Sequence, residues 1–196
     1  MILLTISGFT CGIRANNVSL IDKVYLESKF MNTLFKNDTS ERVDSIRYKF
    51  LRGRLIQEVD EFIRKDFPQA PEHLADYIVD NGLKHDLDIC FMMTQTQIET
   101  GYGTAGIGRN TSRRSLFGVM GRRYDDYDSA IDDYCMLLKR SYLGDRRTTD
   151  DLMKNYVTLS GYRYCVKRDY ESKFQRQYDV IKRKTDIFDL QRKIRS

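Results

Sequence analysis

Apolar residues at Ile21, Val24, Tyr25, Met31, Leu34 and Phe35 recur at spacings of three and four, which predicts a helix over residues 19–36 with Ser19 as its N-cap. The polar run KNDTSE interrupts the pattern. Asp38 and Glu41, three residues apart, form a capping-box pair, and Val43, Ile46, Phe50, Leu55, Val59 and Phe62 then predict a second, long amphipathic helix. Pro68 and Pro71 close that segment, because proline has no N–H to continue a helix, and mark the sharpest boundary in the chain.

Beyond the boundary the pattern predicts a short helix over 73–80, stopped at Asn81-Gly82, and another over 86–100. Residues 101–121 contain six glycines and read as loop, since glycine supplies the left-handed backbone that tight turns require. Ser129 and Asp132 open the next helix, which turns Ile131, Tyr134, Cys135, Leu138 and Tyr142 inward, and Thr149 caps a further one. Past Ser160 a last long helix places Val166, Tyr170, Phe174, Tyr178 and Ile181 on one stripe, followed by a basic tail from Lys182. No repeat interrupts this order. The expected organisation is a mostly α chain: an N-terminal extension of two helices over 1–68, a main domain over 69–185 and a basic tail over 186–196.

Composition narrows the class. At 196 residues the chain suits one main domain, and 41% hydrophobic with 31% charged residues excludes both a membrane protein and a disordered one. No stretch is long enough to span a bilayer. Lys and Arg exceed Asp and Glu by five, a surplus that favours a polyanion or an anionic envelope. The basic tail over 182–192 argues for nucleic acid on charge alone, and without aromatics interleaved among the cations nucleic acid is not the expected partner. Four scattered cysteines without a C-x-x-C pair, and only two histidines, argue against a zinc site. Cys90 and Cys135 fall in apolar helical patterns and are expected to be buried, unpaired thiols. The opening MILLTISGFTCGIRANN has an apolar run and Ala15 but no basic lead, and Gly8, Thr10 and Gly12 dilute it, so it makes a weak signal peptide.

One residue stands out for its place. Glu99 lies in the last turn of a predicted helix, where the negative end of the macrodipole repels a carboxylate. That repulsion, with burial between Ile98 and Tyr102, favours the protonated form that a general acid needs. Taken locally, a solvated surface glutamate is the commoner outcome.

The neighbouring motifs change the balance. Gln95-x-x-x-Glu99-Thr100-Gly101-Tyr102-Gly103-Thr104, then Ser115-Leu116-Phe117-Gly118, then Tyr127-Asp128-Ser129 and Ile131-Asp132-Asp133-Tyr134 resemble, in order, the motifs of the glucosaminidase domain family. Tyr156-Val157-Thr158 with Tyr162 resembles a fourth, although Leu159 and Ser160 stand where the family has Asp-Pro. The resemblance covers residues 69–181. It implies a lysozyme-like fold and cleavage of the β-1,4 bonds of peptidoglycan glycan strands, as in autolysins, the flagellar rod-cap hydrolase and phage lysins.

Carried over position by position, it implies Glu99 as the acid that protonates the glycosidic oxygen, with Gln95 one turn earlier holding the carboxyl or a sugar hydroxyl. Tyr102 and Phe117 are implied as floor or wall of the sugar groove, and Phe117 suits a core role equally well. Tyr162, or else Tyr156, matches the family tyrosine near the reacting sugar. Many members carry a second acid on a β-hairpin after N-L-F-G, and here only VMGRRYDD separates Gly118 from Tyr127, so the hairpin is reduced or absent. Two-carboxylate glycosidases set the partner about 5 to 9 Å from the acid. Asp125 and Asp126 are the candidates, Asp126 foremost, and each reads as well as a solvated turn residue. Without a second acid, the substrate's N-acetyl or 6-hydroxyl group must close on C1, which leaves glucosaminidase-like hydrolysis, muramidase and lytic transglycosylase activity open. No cofactor or metal is implied. The expected setting is the bacterial envelope, the extracellular space or a phage particle, with residues 1–68 free to dock to an assembly. The rival reading is a non-catalytic, wall-binding or structural subunit of a phage tail or secretion assembly that keeps the fold.

Overall fold

The computed structural model describes residues 40–110, 112–118 and 122–196. The helix predicted over 19–36, the Asp38 cap, the leader and Cys11 lie outside the described residues. Among the described residues seven α-helices follow one another: α1 (Ser40–Asp66), α2 (Leu74–Lys84), α3 (Ile89–Thr100), α4 (Tyr127–Leu137), α5 (Thr149–Asn155), α6 (Tyr170–Lys184) and α7 (Ile187–Arg195). A 3-10 turn occupies Gly106–Arg109, and a wider π turn, Leu138–Leu143, prolongs α4. Among the described residues there is no strand; a lone antiparallel bridge joins Val157 and Arg163. The mostly α expectation holds at that level. No described helix is long and apolar enough to cross a membrane.

The chain divides into two compact units, Met1–Ser45 and Ile46–Ser196. The division falls well before Pro68, which corrects the expected boundary. Leu55, Val59 and Ile63, spaced one turn apart along α1, are almost wholly buried in the core of the second unit. Prolines end the helix, but burial assigns it to the domain. Arg52 grips both carboxylate oxygens of Asp80 on α2, and Arg64 donates to the carbonyls of Ala70 and Pro71, holding the turn between α1 and α2.

At the centre is α3. Every residue from Ile89 to Thr96 is buried, so this helix is apolar all round and packs against α2, α6 and α7. Two of its threonines satisfy themselves inward: Thr94 and Thr96 donate to the carbonyls of Cys90 and Met92, one turn back. Asp88 caps its N-terminus by accepting from the N–H groups of Cys90 and Phe91. The same carboxylate accepts from the Tyr178 hydroxyl on α6. Burial pushes the Asp88 carboxyl above the usual Asp range, against the pull of those three donors.

The segment expected as a basic tail is a packed helix. Ile187, Leu190 and Gln191 of α7 are buried, and the Gln191 amide donates to Leu87 O at 2.6 Å while accepting from Ile89 N at 3.0 Å. Basic side chains on the outer face hid an amphipathic inner one. Other elements shift similarly. Helix α2 runs through Asn81-Gly82, because a Cβ at Gly82 would come 2.7 Å from Ile89 Cγ1, so the glycine serves close helix packing rather than a stop. Helix α4 starts at Tyr127 with Asp126 as its cap, and Thr148 rather than Thr149 caps α5 in a capping box with Asp151. The last stripe begins at Tyr170, leaving Val166 in the preceding turn. Cys90 and Cys135 are buried free thiols, with burial pushing both well above the usual thiol value.

Candidate active site

Helix α3 stops at Thr100 because Gly101 takes a left-handed backbone (φ 53) and returns its N–H to Gln97 O. The loop then folds back on the helix end. Thr100 Oγ1 donates to Leu116 O at 2.7 Å, and Gly108 packs so tightly that a Cβ there would sit 2.7 Å from Thr100 Cβ and 2.8 Å from Gly103 Cα. This closure brings Phe117 and Gly118 alongside Glu99. Gly118 is itself left-handed (φ 68), and a Cβ on it would meet Glu99 Oε2 at 2.9 Å. The bare glycine is what leaves room for the carboxylate.

Glu99 and Gln95, one turn apart on α3, form one wall of a cavity of about 340 Å³. Phe117 and Tyr134, stacked in parallel at 3.7 Å, also line it. Tyr142 from the π turn, Tyr164, Cys165 and Tyr170 line it as well, with Tyr142 edge-on to Tyr164 at 5.5 Å. Two phenols address the two polar residues: Tyr170 donates to Glu99 Oε1 and Tyr164 to Gln95 Oε1, each at 2.6 Å. Burial pushes both phenols far up, and the Glu99 contact pushes Tyr170 further, so each remains a proton-bearing donor. Glu99 is exposed rather than enclosed between Ile98 and Tyr102, so the burial expected around it is replaced by a single anchoring hydrogen bond at the cavity rim.

Among the expected site residues, Gln95, Glu99 and Phe117 meet in this cavity. Tyr102 does not. Left-handed backbone at Gly101 and Tyr102 turns the ring into the core, where it is fully buried and edge-on to Phe67 at 5.2 Å. Tyr156 is the left-handed C-cap of α5 and stands behind the wall, edge-on to Tyr164 at 5.8 Å, rather than lining the cavity. Tyr162 does not line it and is 75% exposed in the turn after α5. In its place stand Tyr164, two residues later, and Tyr170, which sequence reasoning placed on the core stripe of the last helix. The signal for Tyr170 was its position in that helix's first turn, where a stripe residue still reaches the domain edge.

Asp126 is not opposite Glu99. It accepts from Ser129 N at 2.7 Å to cap α4, and that bond lowers its carboxyl below the usual range. With Asp125 it borders a separate cavity of about 620 Å³ beside Arg109 and Arg114, which shares no lining residue with the first. Glu99 is therefore the one carboxylate among the described residues lining its cavity. No group of three or more His, Cys, Asp or Glu among the described residues is arranged to hold a metal ion.

The second unit is thus a mostly helical domain built around a buried helix that delivers one acid to the rim of a tyrosine-walled cavity. No family model, curated protein or solved structure matches the chain.

Proposed function

We propose that the chain cleaves the β-1,4 glycosidic bond of peptidoglycan glycan strands, acting as an endo-β-N-acetylglucosaminidase-like hydrolase with Glu99 as general acid. The observation that carries this reading is the Tyr170–Glu99 hydrogen bond at the mouth of an aromatic cavity, on a motif that resembles the family's acid. Aromatic walls suit the apolar faces of pyranose rings, and Gln95, fixed by Tyr164, offers its amide N–H to a sugar hydroxyl.

With one carboxylate at the cavity, Glu99 serves twice. It gives its proton to the glycosidic oxygen as the C1–O bond breaks, so the leaving sugar departs as an alcohol. The acetamido oxygen of the remaining sugar closes on C1 and disperses the developing positive charge. Glu99, now a carboxylate, takes a proton from water as that water opens the ring intermediate, which restores the acid. Capture of C1 by a 6-hydroxyl would instead give lytic transglycosylation, and the products of the two routes differ by one water. The substrate sets the place of action at the bacterial envelope, reached from outside or from a phage particle. A second reading is a non-catalytic subunit of a phage tail or secretion assembly, docked through residues of the N-terminal segment 1–68.

Mass spectrometry of purified peptidoglycan digested by the chain tests the proposal. Reducing N-acetylglucosamine ends are expected, and Glu99→Gln is expected to lower their release at least about a hundredfold while leaving the melting curve in place. Undigested wall, or full activity in the variant, would refute the assignment.

A further inference from the structure

The turn over 157–166 holds three large apolar side chains in solvent: Leu159 is 53% exposed, Tyr162 75% and Val166 86%. The backbone beneath them is firmly held. Thr158 N donates to Tyr162 O at 2.7 Å, Leu159 N to Tyr142 O at 3.0 Å, and Arg147 Nη2 to Val157 O at 2.6 Å. Gly161, left-handed at φ 80, lets the chain reverse between them. Apolar side chains kept out in water on an anchored turn mark a contact surface rather than a core that failed to close.

Two observations identify the occupant. Tyr142, to which the turn is bonded, and Tyr164 and Cys165, which belong to it, line the cavity that holds Glu99. The turn that carries Tyr162 therefore borders whatever fills that cavity, two residues from Tyr164. Lys167 and Arg168, both exposed, follow directly, so the surface pairs an aromatic face with cations and suits a polymer of pyranose rings bearing carboxylates.

We propose that this turn is a platform for the glycan strand beyond the bond being cut, with the Tyr162 ring stacking on a sugar face and Lys167 and Arg168 meeting acidic groups of the polymer. The inference rests on the glycosidase reading above. It makes long strands better substrates than short ones, because a short oligosaccharide fills the cavity without reaching the turn.

The test uses the full chain. Tyr162→Ala is expected to slow release from intact sacculi about tenfold, while cleavage of a soluble tetrasaccharide from the same wall stays within about twofold. Tyr162→Phe, which keeps the ring, is expected to restore the sacculus rate. In a Glu99→Gln background, where the wall survives, Tyr162→Ala is expected to weaken co-sedimentation with sacculi to the same degree. Equal loss on both substrates, or no loss on either, overturns the platform. Co-sedimentation with anionic phospholipid vesicles that Tyr162→Ala abolishes also overturns it, in favour of a lipid surface. If cleavage does not depend on Glu99, the glycosidase reading fails by its own measurement; if it does and Tyr162→Ala is silent, the platform alone fails.

Discussion

The Tyr170 hydroxyl donates to Glu99 Oε1 at 2.6 Å, linking the first turn of α6 to the last turn of α3 across 71 positions of sequence. Neither helix could aim the carboxylate alone. An exposed glutamate at a helix end samples several rotamers, and one donor on a separate, packed helix selects among them. Replacing Tyr170 with Phe keeps the ring against Phe174, whose centroid lies 6.1 Å away, and removes only the donor. Glycan cleavage is expected to fall about tenfold to a hundredfold with the melting temperature nearly unchanged. Loss of folding with activity in proportion would show that the residue is structural only.

Gly118 is the second control on that carboxylate. Gly118→Ala brings a methyl group to 2.9 Å from Glu99 Oε2, close enough to push the carboxylate aside, and strains a left-handed backbone. The strain costs about 1–2 kcal/mol of stability. Displacing the acid should lower cleavage by a larger factor than that loss of stability explains, measured on protein confirmed to be folded at the assay temperature.

Asp88 gives a pH dependence whose sign is fixed by its burial. A carboxyl raised by folding holds its proton longer in the native state than in the unfolded one. Its contribution to stability is therefore greatest below the ordinary Asp value of about 3.9 and declines as pH rises from there through the raised native value. Asp88→Asn keeps a capping oxygen for Cys90 and Phe91 without a charge to bury. Urea midpoints of the variant relative to the parent should improve between pH 4 and pH 7, whereas an offset independent of pH would contradict the burial argument. Asp88→Ala, which also strips Tyr178 of its acceptor, should cost on the order of 2 kcal/mol.

Gln191 tests whether the C-terminal segment belongs to the domain. Its amide satisfies Leu87 O and Ile89 N, two backbone groups buried at the start of α3. Gln191→Ala is expected to destabilise the domain by about 1–3 kcal/mol. Ending the chain after residue 185 also removes Ile187 and Leu190 from the core and should abolish cooperative unfolding. A dispensable tail would leave both denaturation curves in place.

Much of this architecture was written in local patterns. Apolar stripes predicted α1 and α6, and the glycines at 101, 103 and 108 signalled the loop that follows Glu99. These follow from neighbours within a few residues, whose backbone preferences and side-chain spacing are properties of the chain itself. The motif around Glu99 likewise named Gln95, Glu99 and Phe117, which line one cavity.

The rest depended on distances the chain order does not contain. Which tyrosine meets Glu99 was decided by where α6 packs, so Tyr170 takes the place expected for Tyr162, and Tyr102 goes to the core because two left-handed residues reverse its direction. Asp126 caps α4 by accepting from Ser129 N and borders a different cavity from Glu99. Helix α1 and α7 joined the domain because their apolar faces found buried positions, although one precedes the prolines and the other looked like a charged tail. Sequence thus set most of the helices and proposed the acid; the packing of α3 against α6 selected the phenol that holds that acid, because a hydrogen bond depends on spatial separation and not on separation along the chain.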